Sequence, residues 1–322
     1  MFLTLTPNPC IERTLRLDFP VRGAAARLDN ADVFVSAGGK GLNAARVAAL
    51  FGAQTRAIAP VGRRQFDDLT ELARIEGFGA DFLAVESDTR VCLNLIHGDG
   101  TQTEIIENGA PLSLQNGIAL LEKWRQNLAG ARLAAIGGAY PPSEHPAFLE
   151  HATILCQMAH EAGVPVIFDG RGESLQRALN SKTPPWAIKP NEHEAAQILN
   201  RTLETRADEI RAVRDLRARG AEIVLLSCGA RGLYLGHPGG VEWLEAPPVE
   251  VVSAVGCGDA LVGAFAARWL AGDSILKAAL WGVAAGSASA AQIRSAFVSR
   301  NDAALLLPQV RSHNLETAPM KN

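Results

Sequence analysis

The chain has 322 residues, of which 48% are hydrophobic and 20% charged, and its formal net charge is −3. This length allows one large α/β domain or two smaller ones, with a substantial core in either case. The charge gives no indication of a nucleic acid or an anionic membrane as partner, and no apolar run approaches the roughly 18 residues that a membrane span requires. Five scattered cysteines without a C-x-x-C pair favour reduced thiols, and the opening FLTLTPNP favours a first strand over a signal peptide, so we expect a cytoplasmic protein.

Hydrophobic periodicity predicts strands that alternate with helices along most of the chain. The predicted strands cover residues 1–6, 55–61, 133–136, 165–169, 187–189 and 223–227, the last followed by a hairpin. Helices are predicted at 42–51, 66–76, 144–162 and 174–179, in a segment that ends at 128, and in segments up to 219. A β-branched run at Val249, Val251 and Val252 predicts a further buried strand before a helix at 260–270. This order is typical of an α/β fold with a mostly parallel central sheet flanked by helices.

Two segments, at about 10–36 and 88–108, fit poorly into that sheet. The second alternates around the turn His97-Gly98-Asp99-Gly100, which is typical of a β-hairpin. We expect both segments to form a small β-sheet lid over one end of a single domain that spans 1–311. The polar residues 312–322 are predicted to be a disordered tail.

The most informative motif lies where the run at 249–252 ends and the next helix begins. Gly256, Cys257 and Gly258 precede Asp259 at this junction. Glycines here allow the amides at the helix N-terminus to converge on an anion. An aspartate repels a phosphate, so its presence indicates a base that takes the proton from an attacking hydroxyl. The alternative is an aspartate that caps the helix after a tight turn.

Other polar residues fall at predicted strand ends, where ligands bind in such sheets. These are Asn8, Gly39, Lys40, Asp169, Asn191 and Ser227. Lys40 and Asn43 begin a helix and can bind sugar hydroxyls or a sugar phosphate, the alternative being a solvated lysine on a glycine turn.

Two further segments suit a nucleotide and its metal ion. Asn191 and Glu194 are three residues apart and can hold Mg²⁺ and its waters, although Glu194 is equally explained as a first-turn acid. The turn SCGARG, residues 227–232, permits close approach of a nucleotide or forms an ordinary β-turn.

Taken in order, GGKGLNAARVAALFG, the hairpin TRV…TEIIENG, KPNEHE, SCGARG and VGCGDALVGAF resemble the motifs of the ribokinase-like PfkB family of carbohydrate kinases. The resemblance runs from the first strand to about residue 310. TPNPCIERT and the GGKG loop resemble the phosphohexose branch, which includes 1-phosphofructokinase, tagatose-6-phosphate kinase and the minor 6-phosphofructokinase. The resemblance implies a ribokinase-like fold, use of ATP and Mg²⁺, and leaves a monovalent cation open.

The resemblance also implies roles for individual residues. Asp259 becomes the general base, and the amides of residues 254–258, which include Gly256, Cys257 and Gly258, become the anion hole. The implied phosphosugar pocket is lined by Glu12, Gly39, Lys40, Asn43 and Arg90. The implied nucleotide side comprises Lys189, Ser227, Gly229, Gly232, Ala285 and Gly286. Asn191 and Glu194 match the N-x-x-E pattern tied to magnesium, through water.

The substrate side departs from the family pattern. Glu12 stands where aspartate is usual, and the lid pattern Arg-x-Asn-x-Lys is Arg90, Cys92 and Asn94, without the lysine. We hypothesise that the missing charge comes from one of Arg27, Arg63 and Arg64. The expected function is ATP-dependent phosphorylation of a phosphohexose, fructose 1-phosphate first, with tagatose 6-phosphate or fructose 6-phosphate as alternatives.

Three other interpretations are weighed against this one. The absent lid lysine favours a kinase of an unphosphorylated sugar or nucleoside. A catalytically silent sensor of sugar phosphates is disfavoured by Asp259, because a sensor needs no base. An NAD-dependent dehydrogenase requires G-x-G-x-x-G after the first strand, where this chain has Thr6-Pro7-Asn8-Pro9. An exposed lid edge further predicts a homodimer formed through the lid.

Overall fold

The computed structural model describes residues 1–18, 25, 27–141 and 145–315. Its strands are β1 (Phe2–Leu5), β2 (Cys10–Leu17), β3 (Val33–Gly38), β4 (Thr55–Ile58), β5 (Pro60–Gly62), β6 (Leu83–Val85), β7 (Arg90–His97), β8 (Gln102–Ile106), β9 (Leu133–Gly137), β10 (Val166–Asp169), β11 (Ala187–Ile188), β12 (Ile223–Ser227), β13 (Gly232–His237), β14 (Gly240–Glu245) and β15 (Arg311–Asn314). Its helices are α1 (Lys40–Leu50), α2 (Phe66–Ile75), α3 (Leu114–Leu128), α4 (Ala147–Glu161), α5 (Gly172–Leu179), α6 (Glu192–Leu199), α7 (Arg206–Ala218), α8 (Cys257–Leu270), α9 (Ile275–Ala290) and α10 (Arg300–Leu306). Within these ranges, no helix combines the length and hydropathy needed to cross a membrane.

The central sheet has the strand order β15-β14-β13-β12-β11-β10-β9-β1-β4. Pairing is parallel from β4 through β12, and β13, β14 and β15 continue antiparallel to the edge. The carboxyl ends of the parallel strands therefore lie along one rim, as the alternation of strands and helices predicts.

Helices cover both faces of this sheet. Within β1, Leu3 and Leu5 face the core formed with α3 to α7, whereas Phe2 faces the core formed with α1, α8 and α9. Helix α8 is rich in alanine and glycine, and a Cβ on Gly263 would lie 2.5 Å from the Ala44 carbonyl oxygen of α1. This close approach packs α8 directly against α1.

A smaller sheet with the order β3-β2-β7-β8 forms the lid. Strands β2 and β7 run parallel, and the other neighbours pair antiparallel. Glu12 of β2 lies opposite Ser36 of β3 and Cys92 of β7. The predicted mostly parallel sheet with a small β lid is confirmed; of the predicted lid segment 10–36, residues 19–24 and 26 lie outside the described residues.

Two predicted segments were wrong, and they share one cause. Residues 246–255 form no strand, and Val251 and Val252 are exposed. The position beside β14 is instead filled by β15, whose residues 312–314 we expected to be disordered. Backbone hydrogen bonding to a free sheet edge, rather than side-chain hydrophobicity, selects the polar segment RSHN for that position. Residues 316–322 lie outside the described residues.

Candidate active site

The N-cap residue of helix α8 makes no side-chain capping hydrogen bond. Gly256 is its N-cap, in the left-handed conformation with φ of 77°, and the first amide bonded within the helix is that of Ala260, which donates to the Gly256 carbonyl at 2.8 Å. The amides of residues 257–259 are therefore available to an anion. A Cβ added to Gly258 would lie 3.1 Å from Lys189 Nζ, so this ammonium and the turn border the same narrow space.

The side chain of Asp259 is buried in the first turn of α8. Asn43 Nδ2 of α1 donates a 2.8 Å hydrogen bond to Asp259 Oδ2. Burial, followed by the nearby Asp169 carboxylate, raises the pKa of Asp259 to about 7, against the opposing effects of Lys40, Asn43 and Lys189. A carboxyl group with this pKa is matched to general base catalysis near neutral pH.

Asp169, at the end of β10, lies between two lysines. Its Oδ1 is 2.8 Å from Lys40 Nζ and 3.4 Å from Lys189 Nζ. Burial by itself would raise the pKa of Asp169, but Lys189 and Lys40 hold it below its ordinary value. The sequence placed Asp169 at a strand end without a role; the structure makes it the anchor of both ammonium groups.

Asn191 and Glu194 form a capping box at the start of α6. Asn191 Oδ1 accepts from the Glu194 amide at 2.8 Å, and Glu194 Oε2 accepts from the Asn191 amide at 2.9 Å. The structure thus contains the first-turn arrangement considered from the sequence. Glu194 Oε1 lies outside the box and is 3.7 Å from Lys40 Nζ. A carboxylate oxygen is the donor type that fits Mg²⁺ next to a phosphate.

The residues predicted to bind the phosphosugar lie on two lid strands and at the start of α1. Glu12 is buried, and burial raises its pKa, with Arg46 opposing the shift. Gly39 is the N-cap of α1 at φ of 113°, a conformation that favours glycine. Arg90 donates to three backbone carbonyls, those of Asn8, Pro9 and Glu107. In this structure its guanidinium therefore ties the lid to the turn after β1.

A buried arginine behind Asn43 was not identified from the sequence. Arg46 has no exposed surface, and its Nε donates to Glu76 Oε2 at 2.8 Å. Its Nη1 donates to Asn43 Oδ1 at 3.0 Å, which fixes the Asn43 amide with its nitrogen toward Asp259. The one available signal was a charged residue inside the otherwise apolar run AARVAALF.

The predicted nucleotide residues occupy three places in the structure. Ser227, Gly229 and Gly232 form the turn after β12, where the two glycines have positive φ angles. Arg231 fixes this turn through ion pairs to Glu192 of α6 and Glu209 of α7. Ala285 and Gly286 are buried on α9, where a Cβ on Gly286 would lie 3.2 Å from the Cys257 carbonyl oxygen. Lys189 lies apart from both, beside Asp169 and Gly258.

Known proteins are similar to this chain in sequence and in fold. The sequence model of the pfkB family carbohydrate kinases matches residues 6–300. The structure of phosphofructokinase-2 from Escherichia coli in complex with substrates and products is similar, with a TM-score of 0.86 at 27% sequence identity over 96% of this chain and 99% of that chain. A possible 1-phosphofructokinase from Thermotoga maritima has a TM-score of 0.89 at 22% identity, over 98% of this chain and 100% of that chain. The structure of Arabidopsis thaliana ribokinase complexed with ribose and ATP has a TM-score of 0.72 at 22% identity, over 95% of this chain and 98% of that chain.

The two structures at 22% identity bear on the fold, and both confirm the predicted ribokinase-like architecture. The family match covers nearly the whole length, including the GGKG loop and the turn before α8. The chain belongs to the pfkB family of carbohydrate kinases, which are phosphotransferases with an alcohol group as acceptor.

Proposed function

We propose that this protein is an ATP-dependent kinase that transfers the γ-phosphoryl group to a hydroxyl of a phosphohexose, with Asp259 as general base. The observation that carries the proposal is the Asp259 carboxyl, buried at the N-terminus of α8 with a pKa of about 7. Its Oδ2 is oriented by Asn43, which leaves Oδ1 to accept the proton from the acceptor hydroxyl. In-line transfer then depends on positioning and on electrostatic stabilisation by the adjacent amides and ammonium groups.

Lys40 and Lys189 supply the positive charge at this centre. Both are held on the same oxygen of Asp169, and the pKa of Lys40 is raised by Asp169, Glu194 and Asp259 although burial acts in the opposite direction. These two ammonium groups, of which Lys189 borders Gly258 at the start of α8, stabilise charge that develops on the transferring phosphoryl group. The remaining proposed acceptor contacts are Glu12, Gly39, Asn43 and Arg90.

The proposed nucleotide contacts are those inferred from the sequence: Lys189, Ser227, Gly229, Gly232, Ala285 and Gly286. When bound, Mg²⁺ would neutralise part of the triphosphate charge, and Asn191 and Glu194 are proposed to hold it through water. Whether a monovalent cation is needed is tested by comparing activity in potassium and in tetramethylammonium salts.

We propose fructose 1-phosphate as the first candidate acceptor. The name of the Thermotoga maritima neighbour supports it, whereas an Escherichia coli phosphofructokinase-2 structure in complex with fructose-6-phosphate supports the alternative acceptor. Arg63 and Arg64, proposed to supply missing charge, are exposed and pair with Glu86 and Asp88. Alanine at each should raise KM for the phosphosugar if it binds the phosphate.

The deciding experiment measures ATP-dependent phosphorylation of fructose 1-phosphate, fructose 6-phosphate, tagatose 6-phosphate, fructose, ribose and a nucleoside. Turnover of one phosphohexose that collapses in Asp259→Asn supports both the reaction and the base. Turnover of unphosphorylated sugars alone would replace the proposed substrate class. No turnover, with sugar phosphate bound, would favour the sensor.

We also propose a homodimer formed through the lid. Strand β8 is a lid edge, and Ile105 and Ile106 on it are 51% and 59% exposed. An exposed apolar edge strand favours pairing with another chain. Light scattering should give a dimer mass that falls to a monomer mass in Ile106→Lys, whereas Ile75→Lys, at an exposed apolar position on α2, should leave it unchanged. A monomeric wild type contradicts the proposal.

A further inference from the structure

The residues that lead into α8 form no strand of any sheet. Residues 246–255, here called the approach loop, have neither helical nor strand structure. On one side the loop is held by α9, because the amides of Val252 and Ser253 both donate to the Ala290 carbonyl, at 2.8 and 3.0 Å. At the end of the loop, the Val255 amide donates a hydrogen bond to Ser253 Oγ at 3.3 Å. The position of the α8 amides therefore depends on what else holds this loop.

The other support comes from the lid. The Ala254 amide donates to Gln102 Oε1 of β8 at 3.3 Å, and Gln102 Nε2 donates to Asn94 Oδ1 of β7 at 2.6 Å. Asn94 Nδ2 then donates to Ser253 Oγ at 3.4 Å. We call these three hydrogen bonds the latch.

Two features indicate that the three hydrogen bonds of the latch hold one defined arrangement of side chains. Donors and acceptors alternate along it, so a reversed Gln102 or Asn94 amide would place like groups against each other. Asn94 and Ser253 are 2% and 1% exposed, so their polar atoms have little water to replace a lost partner. Asn94 stands at the position where the family pattern described above has lysine, and here its side chain faces the approach loop.

We propose that Asn94 and Gln102 are positioning residues that align the amides of residues 257–259 when the lid rests on the approach loop. Ala254 lies two residues before Gly256, so the latch acts through a short piece of backbone. Binding of the acceptor sugar under the lid is thereby linked to the alignment of the amides of residues 257–259 toward the phosphoryl group. This inference deepens the proposed kinase function and rests on it.

The experiment compares Gln102→Met with Gln102→Glu. Methionine keeps most of the volume but removes both hydrogen bonds. Glutamate keeps an acceptor for the Ala254 amide, and its second oxygen accepts from Asn94 Nδ2 once the Asn94 amide is reversed, which leaves Asn94 Oδ1 to accept from the Ser253 hydroxyl. Glu104→Gln is the control, an exposed residue on the same strand and the same face of β8. The first readout is hydrogen exchange of peptides covering the approach loop in the ligand-free protein. The second is kcat and KM for the phosphosugar and for ATP, with ATP hydrolysed per sugar phosphorylated.

For Gln102→Met we expect exchange at Ala254 to accelerate at least about 10-fold and kcat to fall about 10-fold. KM for ATP should change less than about 2-fold, and more ATP should be hydrolysed per sugar phosphorylated. Gln102→Glu should retain most of the exchange protection and kcat, and Glu104→Gln should match the wild type. A merely structural loss would lower the melting temperature without altering the ratio of ATP hydrolysed to product.

If hydrogen exchange of the approach loop is unchanged in Gln102→Met, the proposal is refuted. It is also refuted if the loop exchanges faster in this variant while kcat is unchanged. Failure of the proposed function is distinguishable, because the wild type would then phosphorylate no sugar on the panel. The exchange measurement needs no ligand and decides whether the latch holds the loop in either case.

Discussion

Asp259→Asn should stabilise the folded protein at neutral and alkaline pH. The ordinary pKa of an aspartic acid is 3.8, and the folded state raises that of Asp259 to about 7, mainly through burial and secondly through Asp169. Between these two values the unfolded chain has lost the proton while the folded chain retains it, so the free energy of unfolding falls as pH rises. Asparagine carries no charge and can still accept the hydrogen bond from Asn43.

The displacement of the pKa sets the size of the effect. At about 1.4 kcal/mol per pKa unit, a shift from 3.8 to about 7 corresponds to about 4 kcal/mol. About 3 kcal/mol of this develops between about pH 4.5 and about pH 8. The variant should therefore gain most over the wild type at the alkaline end and little at the acid end.

Urea unfolding of both proteins across this pH range measures the difference directly and needs no substrate. Asp273→Asn is a control for which the expected change in the free energy of unfolding has the opposite sign. Burial would raise the pKa of Asp273, but Lys277 and Arg268 hold it below its ordinary value. Its carboxylate therefore stabilises the fold above the unfolded pKa, and the asparagine variant should be less stable at about pH 8. An Asp259→Asn variant that is no more stable than wild type at that pH would refute the raised pKa.

Two further substitutions test the surroundings of Asp259. Arg46→Met removes the 2.8 Å ion pair from the buried Glu76 carboxylate and leaves it only Arg294, at 3.5 Å, so the free energy of unfolding should fall by about 3 kcal/mol. The exposed Arg125→Met should cause no measurable loss in the same denaturant titration. Gly258→Ala places a methyl group 3.1 Å from Lys189 Nζ and should lower kcat at least about 10-fold without unfolding the protein. Gly130→Ala, whose Cβ would make an ordinary 3.6 Å contact, should retain wild-type kcat, and equal rates in both variants would contradict the assigned geometry.

Most helices and central strands were predictable because their residues are buried in a regular pattern. The predicted helices at 42–51 and 66–76 correspond to α1 and α2, and the strand predicted at 223–227 is β12. The edge of the sheet was not predictable in this way. There the valines at 249, 251 and 252 stay outside the sheet and the polar β15 pairs with β14, because an edge strand needs backbone partners more than a buried face.

The site was predictable wherever a residue stands in a recognisable local motif. Lys40, Asn43 and Asp259 were identified in this way, and the structure brings them to one place. Arg46 and its partner Glu76 were missed because their ion pair joins α1 to the residue after α2, a relation that no local spacing encodes. The contact of Gln102 with Ala254 was missed for the same reason, since it spans 152 residues.

The pKa of Asp259 shows most clearly where local reasoning ends. A carboxylate in the first turn of a helix is stabilised by the helix dipole, so the sequence alone favours a pKa below the ordinary value. Burial between α1 and α8 and the charge of Asp169 on β10 reverse that direction, while Lys40 and Lys189 limit the reversal. These groups come from four separate elements and meet only in the folded chain. The local motif therefore locates the candidate base, and tertiary packing decides whether it can accept a proton near neutral pH.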